Sequence, residues 1–212
     1  MGDRFDRLNV RHRNVEALLR RPGIGHNNGP IFDMSWEAWV WRRAAAKAWK
    51  TPAPEIARMR VRRAERLGIT YKELTAALMN TGSNLGSAVM PLSLAARVRR
   101  GPKGEIIVEP RNSIAALVGK FGGRLFLLGD IDAVPALTDE ERAAFLSIVN
   151  RAFDGKVEAV GWGHDGKAIR AMLKGNAVPH QEAFLVGAGM GHQVLGESAG
   201  LPFTKDIDSW FS

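Results

Sequence analysis

The chain has no cysteine and only one tyrosine among its 212 residues. Without thiols it can form no disulfide and no thiolate metal site. No stretch approaches the roughly 18 apolar residues of a membrane span. Met1 to Arg21 is charged throughout and lacks the apolar core of a secretory leader. These absences suit a soluble chain in a reducing compartment, and the expectation is a cytoplasmic protein with no membrane partner. Acidic residues are scarce in the first half. Residues 1–111 hold 21 Lys and Arg against 10 Asp and Glu, a net +11, whereas residues 112–212 hold 9 against 12, a net −3. Such a division suggests two modules with different partners. The plainer alternative is a well-solvated basic surface.

Hydrophobic residues make up 45% of the chain, enough for a sizeable core. Residues 1–30 read as a flexible basic arm. Its end, Gly23-Ile-Gly-His-Asn-Asn-Gly-Pro30, is too rich in glycine and proline for regular structure and is either a linker or a docking motif. A basic helical module is expected over 31–100. Ser35 caps a helix from Trp36 to Lys50 that carries Trp36, Trp39, Trp41 and Trp49. A helix this aromatic must bury against the rest of the chain or against a protein partner. Pro54 opens a second helix that ends at Gly68, a left-handed cap. Thr70 and Glu73 form a capping box with Ile69 and Leu74 as its staple. Leu85 to Arg100 reads as helical, broken by Pro91. Gly101–Gly104 is a turn and Glu105–Glu109 an extended segment.

The texture changes over 112–212. Short apolar runs at Leu125–Leu128, Val157–Trp162, Ala183–Val186 and Leu201–Thr204 alternate with amphipathic stretches. Thr138 and Glu141 form a second capping box, Asp154-Gly155 ends that helix, and Asp165 or Gly166 opens another that Gly175 closes. The last helix runs from about Gly191 to Ala199. Alternation of this kind predicts an α/β fold, a small parallel sheet with flanking helices, preceded by the basic, mostly helical region. The strand ending at Gly129 is expected at the centre of the sheet, beside the strand at Ala183–Val186.

The chemistry-bearing feature is Phe126-Leu-Leu-Gly-Asp130-Ile-Asp132-Ala-Val134, an apolar run that ends in two aspartates at i and i+2. On a strand these would point the same way at the carboxyl end, where open α/β sheets place their sites. The competing reading is a polar turn that caps the next helix. The segment resembles the first motif of the haloacid dehalogenase-like (HAD) phosphohydrolases, an apolar strand followed by Asp-x-Asp, and the likeness extends over about 124–205. The resemblance implies Asp130 as nucleophile, Asp132 as general acid and base, both as ligands of Mg²⁺, and Lys174 as the family's lysine. The family's second motif is a Ser or Thr ending the next strand, but here that strand ends in Gly163-His164-Asp165. Members read Val-Gly-Asp after the final strand, where this chain reads Val186-Gly187-Ala188-Gly189 and offers no third carboxylate.

Gly187, Gly189 and Gly191 are candidates to cradle a phosphorylated small molecule or other anion at a helix start. A dinucleotide site is the weaker alternative, because His192 stands where its third glycine would fall. His164, His180 and His192 match no zinc spacing. In the basic half, Arg58, Arg62 and Arg66 share one i, i+4 line and are candidate nucleic-acid phosphate contacts. Residues 68–90 could form a helix-turn-helix, although few polar side chains there read base edges. Two segments, 23–30 with its Gly-His-Asn and 48–75, are similar to small uncharacterised bacterial proteins, a resemblance that implies no activity. Two functions therefore compete. One is HAD-like phosphate-ester recognition, extending to weak Mg²⁺-dependent hydrolysis, with a basic recruiting module. The other is a non-enzymatic nucleic-acid-binding or adaptor protein whose α/β half is structural.

Overall fold

The computed structural model describes residues 52–129 and 137–212. The basic arm, the Gly23–Pro30 motif, the tryptophan-bearing helix, Asp130 and Asp132 lie outside the described residues. Ala53–Ser212 forms one compact unit. Helices α1 (Pro54–Leu67) and α2 (Tyr71–Thr81) come first, followed by β1 (Ser87–Pro91) and the single turn α3 (Leu92–Ala95). A hairpin of β2 (Ala96–Arg100) and β3 (Ile106–Pro110) precedes α4 (Asn112–Lys120) and β4 (Arg124–Gly129). Then come α5 (Asp139–Ala152), β5 (Val157–Trp162), α6 (Gly166–Gly175), β6 (Ala183–Gly187), α7 (Gly189–Ser198) and β7 (Thr204–Asp206).

The five-stranded sheet has the order β5-β4-β1-β6-β7, and each neighbouring pair is parallel. The chain is thus an α/β protein with a parallel sheet and helices on its faces, as its alternating pattern predicts. β4 is an internal strand, but it does not lie beside β6, because β1 sits between them.

That strand corrects the expected helix over Leu85–Arg100. All five residues of Ser87-Ala-Val-Met-Pro91 are buried. A strand covered on both faces has no polar face, so its apolar run resembles a buried helix segment in sequence. Pro91 stands at the strand's last residue and leads into the single turn α3. With 87–91 in the sheet, the helix-turn-helix reading of 68–90 falls away. β1, which falls within 31–100, shares one sheet with the four strands that fall within 112–212.

Side chains alternate between two apolar layers. Ala88, Met90, Leu125, Leu127, Phe184 and Val186 face one cluster with Ala64, Leu67, Leu74, Ile114, Val118, Phe145 and Trp210. Val89, Phe126, Leu128, Ala183 and Leu185 face the other, with Ile169, Met172, Leu173 and Leu201. So α1, α2, α4 and α5 cover one face, and α6 and the end of α7 cover the other. Both capping boxes form with both arms in place, at Thr70–Glu73 and Thr138–Glu141.

The final segment fixes the place of α1 and α2. The Trp210 indole Nε1 donates to Leu67 O at 2.9 Å, and Phe211 N donates to Gly68 O at 3.2 Å. Gly68 is left-handed with φ 68°, and a Cβ there would meet the Phe211 ring at 2.5 Å. Glycine is therefore needed both for the turn and for the close approach. Lys205 on β7 is buried and places Nζ 3.1 Å from Glu73 Oε1 on α2. Burial alone would raise the Glu73 pKa. The Thr70 N–H and the Lys205 ammonium outweigh it and hold the carboxyl below its usual value.

The β2–β3 hairpin is tied to α5 by a two-pronged pair. Arg100 Nη1 donates to Glu141 Oε1 at 2.8 Å and Arg100 Nη2 to Oε2 at 3.0 Å. The hydrogen bond from Arg100 holds the Glu141 carboxyl down at about 2, from an ordinary value of 4.5. A depressed folded pKa means that the tie is complete above pH 4.5 and is lost as pH falls toward about 2. Glu141→Gln keeps a side chain suited to the capping box. Its melting temperature should fall below that of the parent above pH 4.5, and the gap should close as pH drops toward about 2. A gap that does not change with pH would assign the effect to the cap instead.

Candidate functional site

The two ends of the sheet differ in charge. At the amino end, α1 lies beside the turns that enter β1 and β4. There it forms a groove of about 890 Å³ lined by Arg60, Arg62, Arg63, Arg66 and Arg124, with Ile56, Met59, Leu67 and Leu78 between them. Gly86, Gly122 and Gly123 also line it, together with Asn84. No Asp or Glu is among the described residues that line the groove. Five guanidinium groups around one concavity, with no carboxylate, focus a positive potential into it.

Local structure explains why these arginines gather. Arg63 and Arg66 sit one turn apart near the end of α1 and reach the strand-entry turns. Arg63 Nε donates to Leu85 O at 2.7 Å, and Arg66 Nη2 donates to Gly122 O at 2.9 Å. The Gly122 N–H in turn donates to Arg66 O at 2.8 Å. Each guanidinium carries five N–H donors, so one bond to a carbonyl orients the group and leaves donors for a ligand. Arg124 enters from β4. Its guanidinium lies over the Phe126 ring at 5.4 Å and pairs at 3.6 Å with half-exposed Glu158. Arg60 and Arg62 have no hydrogen-bond or ion-pair partner among the described residues.

The glycines make room for this arrangement. A Cβ on Gly123 would lie 2.6 Å from Gly86 O, and one on Gly122 would lie 2.9 Å from Arg66 Nε. Two substitutions should therefore behave differently. Gly123→Ala pushes against backbone and should cost about 1–3 kcal/mol of stability. Gly122→Ala pushes against a side chain, so it should melt near the parent while displacing Arg66 and weakening anion binding. Denaturant melts of both variants, with anion titrations of the second, check this. Equal destabilisation by both would show that Arg66 cannot give way.

Arg62 and Arg66 of the sequence-predicted line reach the groove, and Arg58 is not among its lining residues. The sequence reading missed Arg60, Arg63 and Arg124. The spacing of Arg63 and Arg66 was a readable signal. Arg124 comes from another element 58 residues beyond Arg66, and nothing local announces it.

The carboxyl end is arranged otherwise. Gly129, the last described residue before Asp130 in the sequence, closes β4 at this edge. In chain order β4 is the second strand of the sheet. The first is β1, which ends in Pro91 and leads into Leu92 and Ser93. Lys174 does not share this edge. It lies in the last turn of α6, which starts after β5 and runs back toward the amino end, where Arg124 Nη2 reaches Asn176 O at 3.3 Å.

Gly187 ends β6, and a Cβ there would meet His192 Cβ at 2.5 Å, so this glycine lets the α7 helix approach the strand. Gly189 opens α7 at φ 70°, and Gly191 follows in its first turn. The Ala188 N–H beside them is directed at His192 Nδ1, 3.0 Å away. A cavity of about 570 Å³ next to them is lined by Gly187, Gly189, Gln193, Thr204, Glu197 and Asp206, among others, and no Lys or Arg is among its described lining residues. Its carboxylates oppose a bound phosphate. Asp165 accepts from Ala168 N at 2.8 Å as the cap of α6, and Asp206 accepts from Asp208 N at 2.9 Å. Among the described residues, no three His, Asp or Glu come together as a metal site. Directly after β6 the chain reads Ala188-Gly189, with no carboxylate at those two positions. Among the described residues, no helix is long and apolar enough to cross a membrane.

No protein-family model matches the chain, and no curated protein matches it. Among solved structures, it is similar to a chain from Streptomyces avermitilis MA-4680 described as a HAD family hydrolase. That likeness has a TM-score of 0.35 and 13% identity, and it covers 57% of this chain and 71% of the other. It is a distant likeness of fold.

Proposed function

We propose that this chain binds a phosphate-bearing polymer through the arginine groove at the amino end of its sheet, with the α/β body as a rigid, non-catalytic scaffold. The observation that carries this reading is the convergence of Arg60, Arg62, Arg63, Arg66 and Arg124 on one concavity that no described acidic residue lines. Arg63 and Arg66 are held in place by backbone carbonyls, so they lose little freedom when a phosphate arrives. Arg60 and Arg62 supply charge that no described residue neutralises. Phosphate contacts of this kind orient a nucleic acid and raise its affinity, but they do not read its sequence.

Binding should weaken steeply as salt rises, because every neutralised phosphate releases counterions. Arg60→Gln and Arg62→Gln should each lower affinity for oligonucleotides of unrelated sequence and flatten the log–log salt slope by about one. Anisotropy titrations of the full chain over a salt series measure both. An unchanged slope in both variants would remove the groove from the interface.

A second reading is supported by one observation: the internal strand β4, buried from Leu125 on, ends at the carboxyl edge of the sheet in Gly129, the residue that precedes Asp130 in the sequence. On this reading Asp130 attacks a phosphoester and Asp132 protonates the leaving group. Assays against a panel of phosphoesters, with and without Mg²⁺, should show at most weak turnover. Asp130→Asn should abolish whatever turnover is found. Strong metal-dependent turnover lost in that variant would make hydrolysis the main function.

A further inference from the structure

Resting on the groove reading above, we infer that the polymer is single-stranded nucleic acid with accessible bases, and not a duplex. The arginines alone fit any phosphate polymer. The rest of the lining separates the candidates. Ile56 is 46% exposed and Met59 69% exposed, both on the helix that carries Arg60, Arg62 and Arg63. Leu78 of α2 lines the same concavity. Apolar and cationic groups therefore alternate within about two turns of α1, at the rim of a concave surface.

A duplex keeps its base faces stacked and offers phosphates, sugars and groove edges. Exposed methionine and isoleucine side chains gain little from such a surface. A single strand presents unstacked bases whose flat faces are apolar, each next to a phosphate. The Met59 thioether is flexible and polarizable and suits contact with an aromatic ring. Gly86, Gly122 and Gly123 line the same concavity, and their missing side chains let Arg63, Arg66 and the two strand-entry turns pack closely beneath it. Charge complementarity selects phosphate, and the interleaved apolar groups select a strand whose bases are free. The described groove holds no aromatic side chain, so base contact here rests on aliphatic and thioether surface and carries little sequence preference.

The test uses the full chain with three fluorescent probes at one fixed salt concentration: a mixed-sequence single-stranded oligonucleotide, the duplex of the same length, and poly-glutamate of equal charge. The single strand should bind most tightly. Met59→Ser should weaken single-strand binding about fivefold, the scale of one lost apolar contact, and leave duplex binding unchanged. Ile56→Ser should act in the same direction, and Arg62→Gln should weaken both nucleic acids. Both apolar side chains are exposed, so these variants should melt with the parent; Met59→Gln serves as a second variant if Met59→Ser does not.

Duplex binding as tight as single-strand binding, or single-strand binding unmoved by both apolar substitutions, would overturn the inference while leaving the groove reading intact. Poly-glutamate bound as tightly as the single strand would overturn it in favour of an acidic protein partner. Binding of none of the probes would remove the groove reading itself.

Discussion

The structure depends on one strand that is buried at every residue. Ser87–Pro91 is buried along its whole length and pairs in parallel with β4 on one side and β6 on the other. A parallel strand in that position needs cover on both faces, because each successive side chain points to the opposite one. The alternation Ala88–Val89–Met90 divides the core into its two clusters. It also requires that α1 and α2, which precede β1, pack on the sheet as part of the same body. The chain must then enter β1 and β4 at one end of the sheet, beside the last turn of α1. The arginine groove is a consequence of that entry.

Charge is sorted along the strand direction. At the amino end, the glycine turns let Arg63 and Arg66 lie across backbone carbonyls, and the lining is cationic. At the carboxyl end, the cavity beside β6 and β7 carries Glu197 and Asp206. Open α/β sheets usually bind ligands at the carboxyl end. Here the described side chains suit an anion at the opposite end. A fold supplies surfaces, and side chains decide which of them binds.

The parts of the fold legible in the sequence were those written in local chemistry. Pro54 and Gly68 bound α1, the Thr70–Glu73 and Thr138–Glu141 boxes start their helices, and the runs at 125–128, 157–162 and 183–186 become strands. β1 was missed because burial on both faces removes the alternation that marks a strand. Its neighbour α3, one turn long, adds to the helical look of 85–100. α4 went unread because it has no capping side chain and no acidic residue in its first turn. For the site, the arginine line on α1 was half legible, since Arg62 and Arg66 belong to the groove. Its completion by Arg124 and by the glycine turns depends on contacts between distant segments, which no local pattern records.

The most direct test is to watch backbone amides while the full chain is titrated with an oligonucleotide. Gly86, Gly122 and Gly123 lie in the groove, and Gly187, Gly189 and Gly191 lie at or next to the other end of the sheet. Amide resonances of the first three, with the Nε–H signals of Arg63 and Arg66, should shift in proportion to ligand bound, while those of the second three stay in place. Shifts confined to Gly187, Gly189 and Gly191 would move the ligand to the carboxyl end and contradict the account.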